Sequence, residues 1–143
     1  MLKKILLPTD GSDHSLRAAE YVAGIMKERP ALQVTLLNVY QVLPEFATYD
    51  SPVGPTGAVA SLKEMSRRAL ERTKKVFDDA GLTVRMVSKQ GDPGREIVAF
   101  ARKGDYDHIV IGSRGTGTLK GLVFGSVVNK VLHLSAIPVI IIK

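Results

Sequence analysis

The sequence predicts an α/β fold, a doubly wound parallel five-stranded sheet with helices on both faces. Three observations carry that expectation. Short apolar runs alternate with segments of helical periodicity along the whole chain, and strands separated by helices pair in parallel through right-handed crossovers. The run Val139-Ile140-Ile141-Ile142 is apolar without alternation, as in a sheet covered on both sides. The 143 residues are 45% hydrophobic and 24% charged, ordinary globular material with enough chain for one continuous core.

Each element follows in order. Residues 3–7 form a buried strand that ends in the turn Pro8-Thr9-Asp10-Gly11. Ser12 or Asp13 caps the first helix, whose apolar positions Leu16, Ala19, Ala23 and Met26 recur at helical spacing until Pro30 stops it. Residues 34–40 are the second strand. Residues 41–57 read as irregular, with Pro44, Pro52, Gly54, Pro55 and Gly57; a loop of that length suits a lid or a partner surface. A helix follows from about residue 58 to residue 80, with Leu62, Met65, Ala69, Val76, Phe77 and Ala80 on one side and Gly81 as its terminator. Residues 82–89 are the third strand. Asp92-Pro93 opens the next helix as cap and first helical residue. Ile97, Val98 and Ala101 form its buried stripe, and Gly104 ends it. Residues 108–111 are the fourth strand, residues 126 to about 134 the last helix, and residues 139–143 the fifth strand. No internal repeat or linker interrupts the series.

Composition excludes several classes. The apolar start of the chain stops at Pro8, short of the roughly 7–15 residues of a signal-peptide core. The run from Ala136 to Ile142 is far below the ~18 residues of a membrane span. With no Cys, a soluble protein of the cytoplasm is the expectation. Twenty Lys and Arg against fourteen Asp and Glu leave a net charge of +6, which attracts phosphate-bearing partners without making a nucleic-acid binder. The densest basic group, Arg67, Arg68, Arg72, Lys74 and Lys75, is interrupted by Glu64, Glu71, Asp78 and Asp79, as on a solvated helix face. Aromatic content of 6% offers little to stack bases on.

Chemistry is to be sought beyond the carboxyl ends of the strands, where ligands bind in sheets of this kind. Asp10 and Gly112 both stand there. From Gly112 to Ser126 the chain is rich in glycine, which lets backbone N–H groups approach an anion closely. Gly125-Ser126 opens a helix, whose free N–H groups and dipole favour phosphate. The Ser126 hydroxyl either caps that helix or touches the phosphate, and Arg114 and Lys120 can add charge. Three familiar motifs fail by spacing. No glycine here precedes Lys-Ser or Lys-Thr, as a Walker loop requires. Gly115 and Gly117 are followed by Gly121, one residue late and at the wrong strand for a dinucleotide fingerprint. Gly112-Ser113-Arg114-Gly115 is not a nucleophile elbow. What fits is Gly, two residues, Gly, nine residues, Gly-Ser, met by Gly112, Gly115, Gly125 and Ser126. The plain alternative is a merely flexible connection.

Over essentially its whole length the sequence resembles universal stress proteins of the ATP-binding branch. The likeness lies in Ile5-Leu6-Leu7-Pro8-Thr9-Asp10-Gly11-Ser12, Leu36-Leu37-Asn38-Val39, Ile111-Gly112-Ser113-Arg114-Gly115, Gly125-Ser126-Val127 and Pro138-Val139-Ile140-Ile141. The glycine spacing is its most specific element. The resemblance implies one domain over residues 1–143, an adenine nucleotide alpha hydrolase-like (Rossmann-like) fold, and ATP at the ends of the first, second and fourth strands. It places adenine at the backbone of Val39, with Pro8 and Thr9 lining the pocket and Asp10 by the ribose or a metal-bound water. Gly112, Arg114 and Gly115 then follow the ribose and first phosphates, and Gly125, Ser126 and Val127 the outer ones, with Mg²⁺ bridging phosphates. Asn38 and Ile111 depart from the His and Met often found there, at positions that act mainly through backbone and packing.

Asp10 can equally cap the first helix, and the two roles are compatible. His14, His108 and His133 lie far apart, without the spacing of a metal cage or a Ser-His-Asp site. His108 reads as structural, and Asp105 and Asp107 as surface residues. No general base for activating water and no cluster of metal-binding carboxylates stands out beyond Asp10. An ATP-holding regulator with slow or no turnover is therefore expected, with an ATP-hydrolysing or nucleotidyl-transferring enzyme as the alternative. The unalternating last strand predicts a sheet border and a homodimer built through it.

Overall fold

The computed structural model describes residues 1–43, 54–115 and 124–143, with backbone alone for 54–56. Five strands, β1 (Lys4–Pro8), β2 (Gln33–Tyr40), β3 (Arg85–Gln90), β4 (His108–Gly112) and β5 (Val139–Ile142), alternate with four helices. These are α1 (Asp13–Glu28), α2 (Gly54–Asp79), α3 (Pro93–Lys103) and α4 (Ser126–Leu134). All pairings are parallel, in the order β3-β2-β1-β4-β5. The chain winds outward from β1 to β3, then crosses back and winds out through β4 to β5. The reversal leaves a crevice between the carboxyl ends of β1 and β4.

Two cores form because successive strand residues face opposite ways. Ile5, Leu7 and Leu36 pack with Val22 of α1 and with Leu70 and Phe77 of α2 on one side. Leu6, Leu37, Ile109 and Ile111 pack with Ile97 of α3 and Val131 of α4 on the other. Tyr106 is buried with the second group, and its hydroxyl donates to Thr35 Oγ1 at 2.7 Å. At the amino ends of the strands, Asp107 Oδ2 accepts the N–H groups of Lys3 and Lys4, both at 2.8 Å. Its Oδ1 lies 2.7 Å from His108 Nδ1. Asp107 thus ties β1 to β4 and is not the plain surface residue the sequence suggested.

Two boundaries and one buried stripe differ from expectation. α2 begins at Gly54, inside the stretch read as irregular. Pro55 does not break it, because the first helical turn has no N–H partner to lose. β3 begins at Arg85, since pairing with β2 starts at Thr35↔Arg85 and Leu82 and Val84 only pack below it. The buried stripe of α2 is Ser66, Leu70, Thr73 and Phe77, while Met65 is 65% exposed. Two hydroxyl residues occupy that inner face, and an apolar-only pattern passes over them.

Candidate functional site

α1, α3 and α4 begin near the carboxyl ends of the strands, the first two capped by a side chain and the third not. Ser12 caps α1, its hydroxyl accepting Ser15 N–H, and Asp92 caps α3, accepting Arg95 N–H. α4 has Gly125 as N-cap, and no side chain caps it. Ser126 is therefore the first helical residue, and its hydroxyl does not take the capping role. Gly125 itself is buried and held by its N–H to Ser113 O at 2.9 Å. The first N–H groups of α4 are presented to the crevice without the acceptor that the other two helices carry.

That crevice is a cleft of about 270 Å³ among the described residues, near the lower end of the ~300–1,000 Å³ of small-ligand sites. Pro8, Thr9 and Asp10 from the end of β1 line it, with Val39 of β2. Gly112, Arg114 and Gly115 follow β4, and Gly125, Ser126 and Val127 open α4. All ten residues singled out by sequence thus border one space. Lys120 and the rest of 116–123 lie outside the described residues, as does 44–53 of the expected lid.

The wall the sequence reading missed comes from α3. Pro93 and Ile97 join Leu37, Val39, Ile111 and Val128 to make one side apolar. The rule that helices start near the carboxyl ends of strands was the signal that could have found it. Lys130 in the middle of α4 pairs with Asp92 at 2.9 Å, so the cap of α3 is tied to α4. The Asp92 carboxyl is held below the ordinary carboxylate range, first by the hydrogen bond from Lys130, against the opposing effect of burial.

Asp10 sits at the centre of the polar side. Its Oδ1 accepts Ser12 N–H at 3.0 Å and the Ser15 hydroxyl at 2.9 Å. A Cβ on Gly115 would collide with Asp10 Oδ2, so the chain after β4 passes directly over this carboxylate. Gly112 serves packing as well as access, since a Cβ there would lie 2.7 Å from the His14 carbonyl of α1. His14 Nδ1 and Ser113 Oγ are hydrogen-bonded at 2.9 Å. Burial first, then the Arg17 and Arg114 cations, lower the His14 pKa below 6.5, which favours neutral imidazole at pH 7. Asn38 does more than pack, because its Nδ2 donates to Thr9 O at 2.7 Å. Among the described residues no group of three or more His, Cys, Asp or Glu could hold a metal ion. The arrangement offers an apolar slot beside backbone N–H donors and the Arg114 guanidinium, suited to a ligand with a flat apolar part and an anionic tail.

Fold and cleft define a doubly wound α/β protein with an open cleft at its switch point. The chain belongs to the universal stress protein family, whose model matches residues 1–143. It is 36% identical over 145 residues to the universal stress protein MJ0531 of Methanocaldococcus jannaschii, covering 100% of this chain and 83% of that one. The solved structure of protein MJ0577 from the same organism superposes with a TM-score of 0.82 at 32% identity, covering 100% of this chain and 96% of that one. The universal stress protein of Archaeoglobus fulgidus in complex with dAMP gives a TM-score of 0.65 at 25% identity, covering 100% of both chains.

Proposed function

We propose that this protein is an ATP-binding regulator of the stress response that turns its nucleotide over slowly or not at all. The observation that carries the reading is the uncapped start of α4, opening beside Arg114 and Gly115 onto an apolar slot. Phosphate is the natural acceptor for those N–H groups. Adenine would occupy the slot at Val39, with Pro8 and Thr9 beside it and Asp10 near the ribose. Gly112, Arg114 and Gly115 would follow the first phosphates, and Gly125, Ser126 and Val127 the outer ones. The Archaeoglobus protein, which holds an adenine nucleotide on the same fold, supports this assignment.

Mg²⁺ would ride on the phosphates, because Asp10 is the sole carboxylate at the cleft among the described residues. An oxygen ligand set of that kind suits Mg²⁺, which ordinarily keeps several waters and is held through substrate phosphates. We place the protein in the cytoplasm as one domain over residues 1–143, acting through a protein partner that senses nucleotide state. No helix of the described residues is long and apolar enough to cross a membrane.

The same reading includes a homodimer through β5. This strand lies at the border of the sheet and its four residues are only half buried, whereas β3 at the other border carries Arg85 and Lys89. Charged residues discourage edge pairing and an apolar edge invites it. Light scattering should show a dimer at tens of micromolar, with Ile141→Pro weakening it while circular dichroism remains that of a folded chain. A wild-type monomer would remove the dimer from the proposal. ATPase assays separate the regulator from an enzyme on the same fold: phosphate release faster than about 1 s⁻¹ would favour the enzyme.

A further inference from the structure

The β1–α1 turn is held from behind by a residue that does not line the cleft. Thr73 of α2 is completely buried. Its hydroxyl donates to Ala69 O at 2.8 Å, one turn back along the helix. With its only proton used there, Thr73 Oγ1 must be the acceptor in the 2.7 Å bond to Thr9 Oγ1. Thr9 Oγ1 in turn accepts Gly11 N–H at 3.1 Å. The main chain of Thr9 is fixed as well, its N–H donating to Leu37 O at 2.9 Å and its carbonyl accepting Asn38 Nδ2 at 2.7 Å.

Every polar group of Thr9 is therefore committed to the protein. Gly11 has φ +77°, and a Cβ there would lie 3.1 Å from Ala69 Cα, so the turn rests on the backbone of α2. Asp10 lies between these two pinned residues. A valine would fill the Thr73 position with the same shape, and a buried hydroxyl is unfavourable unless paired. Here it is paired at both ends, to the backbone of α2 on one side and to the turn that carries Asp10 on the other.

We propose that Thr73 is a positioning residue for the nucleotide site, its hydroxyl bracing the Thr9–Asp10–Gly11 turn through Thr9. The inference rests on the ATP reading above and assigns the control of that site to the inner face of α2. Thr73→Val keeps the volume and removes the brace. Its ATP affinity should fall about 3- to 10-fold, the loss of one ordinary hydrogen bond, with a cooperative thermal transition retained. Thr73→Ser, which restores the hydroxyl, should bind within twofold of wild type. Because Thr73 acts through Thr9, the double variant with Thr9→Val should lose no more affinity than Thr9→Val alone.

Hydrogen exchange in nucleotide-free protein supplies a separate readout: Thr73→Val should speed exchange at the Gly11 amide. Wild-type affinity and Gly11 protection in folded Thr73→Val would overturn the inference and leave the ATP reading intact. Absence of ATP binding by the wild-type protein would overturn that reading, and the Gly11 amide would then decide the brace alone. If Thr73→Val does not fold, Thr73→Ala removes the same hydroxyl with a smaller side chain. Unchanged affinity and Gly11 protection in that variant would equally overturn the brace.

Discussion

The starts of α3 and α4 lie side by side and are built on opposite plans. α3 carries its own carboxylate, Asp92, which accepts Arg95 N–H at 3.1 Å and pairs with Lys130. α4 carries Gly125, which has no side chain to cap its first N–H groups. Both starts border the same cleft. A helix terminus that caps itself is committed to stability, whereas one left uncapped keeps its N–H groups for a ligand. Position at the cleft alone therefore does not single out the proposed anion site; the missing side-chain cap does.

The comparison breaks most sharply if α4 is given what α3 has. Gly125→Asp should cap the helix and place a carboxylate where phosphate is proposed to sit. Loss of charge-assisted donors together with like-charge repulsion corresponds to about 2–3 kcal/mol, or roughly 30- to 150-fold in ATP affinity. Thermal stability should hold or rise, and calorimetric titration beside a melting curve would read both. Unchanged affinity would show that the uncapped terminus is not the phosphate site.

Gly115→Val should come next, with affinity down by about tenfold or more. Its side chain would displace Asp10 and obstruct the backbone's approach to phosphate, while Gly115 is exposed and remote from both cores. A folded variant binding ATP as wild type would remove the loop after β4 from the site.

The smallest effect on binding belongs to the capped helix. Asp92→Ala should cost about 1 kcal/mol of stability and leave ATP affinity within about twofold, measured by denaturant melts and titration. The native Asp92 carboxyl titrates below its ordinary value near 3.8. Its contribution is therefore fully present above that value and lost as pH falls through the lower, folded-state value. Stabilities of wild type and Asp92→Ala should accordingly converge only below about pH 4.

Much of the fold was legible because its punctuation is local. Pro30, Gly81 and Asp92-Pro93 stop or start helices through the backbone conformations they permit, whereas Gly104 ends α3 at an ordinary φ of −91°. The misread start of α2 shows the limit of that logic, because Gly54 and Pro55 break a helix interior and suit a helix start. The candidate cleft was legible where glycine spacing and strand ends coincide, from Asp10 to Gly112 and Gly125. Contacts between distant parts of the chain left no such trace. The bond from Thr9 to Thr73 spans 64 positions, and nothing in the pattern of α2 marks Thr73 as different from an apolar residue. Pro93 and Ile97 were read for their own helix, and only the packing of α3 against β2 and α4 brings them to the cleft.

Calorimetric titration of the purified wild-type chain decides whether the cleft at the start of α4 takes ATP. Saturable heat with one nucleotide bound per chain, a raised melting temperature, and tighter binding with Mg²⁺ than without are the expected results. Folded protein that shows neither heat nor a thermal shift at millimolar ATP would rule ATP out as the ligand of this cleft.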